Sequence, residues 1–313
     1  MIKIENEIVL ITGGSGSLGK GLVKRLAKNN EVIVFSRNEE RQYLLKNEFD
    51  QSSFGKRVRF VIGDVRDTET LKDNMSYCTY AIHAAAMKDL IFCEDQVWQT
   101  CLNNISGSQS FLEAVKFSKK LKKVCGVSTD KAASPSSVYG CTKYIMEQLF
   151  IEASKYSEAV FSIVRFGNMI NSSGSLIPRW KQNPKLIKGI THPDVVRFFF
   201  TVEEAVSTVI STLKLANNSE IFIRKMKAAK IIDIIENIVG KKHLQSIPLL
   251  GLFPGEKVHE ELLSKSESRF CEIRGEYFVI GQHEKKNDTL ENFSTQNAVL
   301  FTKSQLRKVL EEI

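Results

Sequence analysis

A chain of 313 residues with 42% hydrophobic and 26% charged residues has the composition of an ordinary globular protein, which excludes disordered and fibrous classes. The length allows two lobes or one large α/β unit. A net charge of +8 suits anionic ligands, but the densest basic run, Lys119-Lys120-Leu121-Lys122-Lys123, falls where a helix beginning near Gln96 should end and lacks interleaved aromatic residues, so no nucleic-acid partner is expected. In chain order, strands are expected at Glu7 to Thr12, Glu31 to Ser36, Val58 to Ile62, Tyr80 to His83, Lys123 to Ser128 and Phe161 to Phe166. Helices beginning near Leu18, Glu39, Thr68, Gln96 and Ser137 alternate with them. This alternation predicts a Rossmann-type, doubly wound parallel sheet at 1–167.

After Gly167 the pattern changes to loops around Pro178, Pro184 and Pro193, so 168–313 reads mainly as a smaller substrate-binding lobe. Thr201 to Ala216 reads as a helix and Glu220 to Ile223 as a strand, with about 201–223 returning to the first domain. Lys227 to Val239 and Thr302 to Ile313 read as helices, and the polar Glu284 to Asn297 as an exposed loop. No apolar run approaches the ~20 residues of a membrane span, and the first residues lack the apolar core of a signal peptide. Six cysteines show no paired or metal-ligand spacing, so reduced thiols, no metal and a cytoplasmic setting are expected.

The chemistry is concentrated at strand ends. Between the first strand and helix, Thr12-Gly13-Gly14-Ser15-Gly16-Ser17-Leu18-Gly19 forms a phosphate cradle, with glycines where a pyrophosphate must approach backbone N–H groups. The second strand ends in Ser36-Arg37, with no acid for a ribose 2′-hydroxyl; a guanidinium offers a planar fork of donors for a 2′-phosphate, so NADP is preferred over NAD. Asp64, followed by Val65, is placed to hold an adenine amino group or to cap the helix near Thr68. Ala84-Ala85-Ala86 supplies small side chains against which a nicotinamide ribose can pack. Tyr139 and Lys143 share one helix face, where ammonium and cofactor charge lower the phenol pKa so that a phenolate accepts a hydroxyl proton. Thr129 can donate to the same substrate oxygen. Asp130 and Lys131 add an acid and a base that a plain dehydrogenase does not need.

From Glu7 to about Glu261 these motifs resemble the configuration-inverting UDP-N-acetylglucosamine 4,6-dehydratases, extended short-chain dehydrogenase/reductase enzymes of surface-polysaccharide and pseudaminic acid synthesis. The likeness also rests on His83-Ala84-Ala85-Ala86-Met87-Lys88, Asn104-Ile105-Ser106-Gly107, Arg165-Phe166-Gly167-Asn168, Gly174-Ser175, Arg197-Phe198 and Pro254-Gly255-Glu256-Lys257. It implies a dimeric or hexameric enzyme that holds NADP tightly, with Val65 and Asn104 in the cofactor set. Lys88, Asn168, Gly174, Ser175, Arg197 and Glu256 match positions that hold the sugar and UDP. The implied cycle passes C4 hydride to NADP⁺ as Tyr139 takes the hydroxyl proton. Lys131 then removes the C5 proton, Asp130 protonates the departing C6 hydroxyl, hydride returns to C6, and C5 is reprotonated from the opposite face. The chain departs from the pattern at Asp89, Val196, Arg224 and Phe253, which bears on the choice of UDP-hexosamine. The alternatives are a UDP-sugar 4-epimerase, which needs no acid and base at 130 and 131, and a non-catalytic NADP-binding regulatory protein.

Overall fold

Residues 3–172, 175–285 and 291–311 are described here from a computed structural model. The first six apolar runs form β1 (Ile8–Thr12), β2 (Glu31–Ser36), β3 (Val58–Ile62), β4 (Tyr80–His83), β5 (Lys123–Thr129) and β6 (Val160–Phe166). They are rich in Val, Ile and Phe because parallel strands covered by helices on both faces must be apolar along their length. Between them run α1 (Ser17–Leu26), α2 (Glu39–Asp50), α3 (Thr68–Met75), α4 (Leu90–Asp95), α5 (Val97–Cys101), α6 (Gly107–Phe117) and α7 (Val138–Ala153). The strands pair in the order β3-β2-β1-β4-β5-β6, all parallel, so the carboxyl ends of β1 and β4 meet at the switch point of a doubly wound sheet.

The helix expected near Gln96 is interrupted. Asp89 accepts a bond from the Phe92 amide at 3.1 Å and caps α4, a local reason for an acid at this departure from the family pattern. Gln96 then breaks the helical dihedrals, α5 follows, and Leu102–Ser106 form a π-helical turn before α6. The basic run is not a helix end: Ser118 turns to an extended conformation, and Lys122 pairs with Glu7 at 2.7 Å. Lys123 opens β5, and its ammonium reaches the Ala216 carbonyl at 3.1 Å.

The second half adds β7 (Asn168–Met169), α8 (Leu176–Gln182), β8 (Val196–Phe200), α9 (Val202–Leu215), β9 (Glu220–Arg224), β10 (Lys227–Lys230), α10 (Ile231–Val239), α11 (Lys241–Leu244) and β11 (Glu261–Leu263). β12 (Cys271–Arg274), β13 (Tyr277–Ile280), β14 (Phe293–Ser294) and α12 (Lys303–Glu311) complete it. A Thr201–Glu204 capping box starts α9, and β9 pairs parallel to β6. The β12–β13 hairpin then extends the large sheet to nine strands by pairing antiparallel to β9. Thus the chain returns to the first sheet again well beyond 223, which local patterning cannot show because the pairing partner is remote.

Two local expectations fail for the same reason. Lys227–Lys230 leaves the expected helix to pair with β8, burying Ala228 and Ala229, while the helix proper begins at Ile231. The polar stretch after Glu284 contains β14, where the Phe293 ring packs 5.0 Å from both Phe198 and Phe278. One half-buried aromatic thus anchors a segment whose composition reads as loop.

Candidate active site

The cradle is formed by backbone. Gly13 has φ +68°, and a Cβ there would lie 2.8 Å from the Ala84 carbonyl oxygen and the Ala85 nitrogen. A Cβ on Gly19 would fall 2.5 Å from the Gly13 oxygen, so glycine lets α1 enter directly beneath the turn. Gly16 caps α1 without a side-chain bond, and the first turn has no acidic residue, which leaves the positive end of the helix to an anion. Ser17 and Leu18 open that turn. Ser15 and Ser36 hold the turn to β2 through a 2.9 Å hydroxyl bond, and Gln42 on α2 fixes Ser36 by donating to its carbonyl and hydroxyl oxygens. Gln42 carries no motif signal, so the sequence does not reveal this brace.

Around the rim, exposed Arg37 lies 3.4 Å from the Asn103 amide oxygen, and Asp64 receives both Arg66 guanidinium bonds at 2.9 and 2.7 Å. Those bonds hold the Asp64 carboxyl below its ordinary range. Asp67, not Asp64, caps α3, through the Thr70 amide at 3.1 Å; the helix begins one residue after Asp67, too far along for Asp64 to serve. Val65 is buried beside Gly107. The π-turn presents Asn104, whose side chain bonds both the amide and carbonyl of Met87 at 2.8 and 2.9 Å and the Thr142 hydroxyl at 3.1 Å. It ties the 84–88 segment to α7. The turn, Ala84-Ala85-Ala86 and Asn104 thus form one surface suited to a nicotinamide dinucleotide.

At the end of β5, Thr129 donates to Asp130 Oδ1 at 2.9 Å and also hydrogen-bonds the Tyr139 phenol. Ser137 caps α7 through the Gly140 amide at 3.1 Å, placing Tyr139 and Lys143 over the sheet. Glu94 on α4 reinforces this start by accepting from the Val138 amide at 2.7 Å. Burial pushes the Tyr139 phenol up to about 12, opposed by the Lys131 charge and the Thr129 bond. Burial also pushes Lys143 down to about 8, with Glu147 one turn away pulling the other way. Within the protein, desolvation of the phenol outweighs the nearby Lys131 charge. His83 lies beneath, bonded to Thr12 at 2.9 Å and Ser108 at 3.1 Å, and burial lowers it to about 3, so it is neutral.

Asp130 is fully buried, and its Oδ2 has no hydrogen-bond partner among the described residues. A buried orphaned carboxylate oxygen is costly, and it gains a partner when a hydroxyl enters the site. Lys131 Nζ lies 3.1 Å from Asp130 Oδ1 and 3.1 Å from Glu260 Oε1. Burial disfavours its charge, but the two carboxylates outweigh burial and raise its pKa. Glu260, outside the motifs quoted above, approaches from the segment immediately before β11.

Other expected substrate positions are distributed around this centre. Lys88, its pKa lowered by burial, reaches to 3.5 Å from Ser172. Asn168 opens β7, and Ser175 precedes α8 with its hydroxyl buried and without a partner among the described residues. Gly174 lies outside the described residues. Arg197 and Glu256 pair with each other at 3.1 Å, and Thr191 donates to the same Glu256 oxygen at 3.0 Å. Of the departures, Arg224 pairs with Glu276 at 2.8 Å, Val196 is buried in β8, and Phe253 is exposed.

Residues 9–282 match the family model described as polysaccharide biosynthesis protein. The chain belongs to that family. It is 34% identical to the inverting UDP-N-acetylglucosamine 4,6-dehydratase of Campylobacter jejuni, over 91% of this chain and 86% of the relative. It is 30% identical to a UDP-glucose 4-epimerase of Rickettsia bellii, over 97% and 95%. A Methanocaldococcus jannaschii relative called an uncharacterized membrane protein is 35% identical over 99% and 96%; in the present chain no helix among the described residues is long and apolar enough to cross a membrane. The X-ray structure of Pen from Bacillus thuringiensis superposes with a TM-score of 0.91, at 32% identity, over 100% of this chain and 99% of that one. The family model and the dehydratase relative agree with the motif resemblance, and the fold is a Rossmann-type sheet.

Proposed function

We propose that the protein is an NADP-dependent 4,6-dehydratase of UDP-N-acetylglucosamine or a close UDP-hexosamine, inverting C5 and serving surface-polysaccharide or glycan synthesis. The observation that carries this reading is the buried Asp130–Lys131 pair, with one carboxylate oxygen left unpartnered, beside Thr129 and Tyr139. Oxidation at C4 needs only Thr129, Tyr139 and Lys143. Elimination across C5 and C6 needs in addition a base and an acid, which Lys131 and Asp130 supply. The cofactor accepts and returns hydride when bound to Gly13, Ser15, Gly16, Ser17, Leu18, Gly19, Ser36, Arg37, Asp64, Val65, Ala84, Ala85, Ala86 and Asn104. Lys88, Asn168, Ser175, Arg197 and Glu256 would hold the UDP-sugar.

Proton NMR of the protein with UDP-N-acetylglucosamine in D₂O, without added reductant, tests the reading. A new C6 methyl signal with deuterium at C5 is expected. Conversion to UDP-N-acetylgalactosamine would instead establish the 4-epimerase, the second reading, which the Rickettsia relative's name favours.

The NADP preference is supported by the bare carboxyl end of β2 and by Arg37 at its rim. Arg37→Ala is expected to weaken NADP by roughly 10- to 100-fold, the loss of a charge-assisted phosphate contact, while NAD changes little. Fluorescence titration of both cofactors checks it, and an unchanged preference removes the 2′-phosphate argument.

Homo-oligomerisation, as a dimer or hexamer, is proposed from one surface. α4 and α5 pack against α7 and leave Ile91, Phe92, Val97, Trp98, Tyr144 and Ile145 exposed, with Trp98 at 70%. Light scattering should give twice or six times the 35.4 kDa chain mass, and a monomer overturns it. A cytoplasmic setting is proposed from the six cysteines, which are free.

A further inference from the structure

Glu260 lies far along the chain from the Thr129-to-Lys143 segment, immediately before β11. Its amide donates to the Thr295 hydroxyl oxygen at 3.2 Å and its carbonyl accepts from the Thr295 amide at 2.9 Å, so its backbone is fixed from a separate segment. Its side chain is 2% exposed and directs Oε1 to Lys131 Nζ at 3.1 Å. Asp130 stands at the same distance on another side of that nitrogen, already holding the Thr129 hydroxyl on its Oδ1. Two buried carboxylates therefore share one ammonium, an excess of negative charge that a lone acid–base pair does not require.

The excess separates two roles. A carboxylic acid that delivers a proton to a leaving group cannot also serve as the permanent counter-ion of the base. We propose that Glu260 is the positioning residue of the Lys131 base, fixing the amine and holding the abstracted proton on nitrogen while Asp130 acts as the acid. The inference rests on the dehydratase reading. In the elimination, a proton of the Lys131 ammonium first passes to Asp130, 3.1 Å away, and the freed Lys131 lone pair takes the C5 proton as the C5–H electrons form the C5=C6 bond. The C6–O bond breaks and the Asp130 proton leaves with the hydroxyl as water. The site ends with an ammonium at 131 and a carboxylate at 130, and Glu260 stays ionised throughout.

The groups acting on the amine are Asp130 and Glu260, which favour its charge, and Arg197, which opposes it; Tyr139 lies close enough to feel the ammonium in turn. Burial raises Glu260 itself, with Lys131 and Arg197 pulling it back. His259 turns away to Thr295 at 3.1 Å. Removing the Glu260 charge must therefore lower the pH at which Lys131 becomes neutral.

The test uses full-length protein carrying Glu260→Gln, with Glu260→Asp as the charge-conserving variant. Trace acetylation with acetic anhydride, read at Lys131 by mass spectrometry across pH, follows the amine directly, and NMR follows turnover of UDP-N-acetylglucosamine. In Glu260→Gln, Lys131 should become reactive at lower pH. Plateau kcat should fall about 10- to 100-fold with KM within about threefold, and the rising limb of C5 deuterium incorporation should move to lower pH. Glu260→Asp should retain the wild-type titration and recover part of the rate; it decides the matter alone if Glu260→Gln does not fold. An unmoved Lys131 titration overturns the proposal, as does a moved titration with wild-type kcat. If the wild-type protein does not dehydrate the sugar, the dehydratase reading fails, while the acetylation profile still decides whether Glu260 sets the charge of Lys131.

Discussion

Lys131→Ala is expected to lower formation of the 4-keto-6-deoxy product by about 10³-fold or more, while NADP binding persists. The magnitude follows from its position. Lys131 is the amine held 3.1 Å from Oδ1 of the buried Asp130, whose other oxygen has no partner among the described residues. Thr129, Tyr139 and Lys143 remain in the variant, so C4 oxidation should still be detectable as transient absorbance of the reduced cofactor, with hydride returning to C4. The ammonium at 131 also opposes the upward shift of Tyr139, so its loss should move that half-reaction to higher pH. Two readouts thus separate the steps: the C6 methyl signal disappears, and the C4 oxidation limb shifts toward alkaline pH. Retained turnover would place the base elsewhere. Loss of both half-reactions would mean that Lys131 organises the whole site rather than serving elimination alone.

The catalytic segment was legible because its members are close in the chain. Thr129, Asp130 and Lys131 end one strand, and Tyr139 and Lys143 begin the next helix, so spacing alone brings them to the same sheet edge. The parallel strands were legible because each carries its own apolar run between short connections. Glu260, Gln42 and Glu94 were not, since each acts on a residue far along the chain and has no local signature of that contact. β10 and the β12–β13 hairpin were hidden likewise, for their conformation is decided by β8 and β9. Arg197 and Glu256 were singled out as ligands of the substrate, but the sequence could not show that they are bonded to each other.

Arg165→Met tests the link between the two halves of the chain. Arg165 is fully buried on β6 and makes paired bonds to Glu147 on α7 at 2.8 and 2.7 Å. It also bonds Glu267 at 3.0 and 2.6 Å and the Leu262 carbonyl at 3.1 Å. These bonds outweigh burial and raise the guanidinium pKa, so its charge is permanent. Glu267 retains some exposure and also accepts from Ser264, whereas Glu147 is fully buried and would be stranded. Removing one partner of a buried pair costs about 3–5 kcal/mol, and that loss is expected in urea unfolding of Arg165→Met. Arg165→Met combined with Glu147→Met should recover most of it, because the stranded charge is gone and apolar volume fills the site. A single-variant cost below about 1 kcal/mol would show that β6, α7 and the segment after β11 are held by apolar packing instead. Since Glu147 also raises the affinity of Lys143 for its proton, a stable double variant should leave Lys143 neutral at lower pH than in the wild type, which ties this buried network to the electrostatics of the catalytic helix.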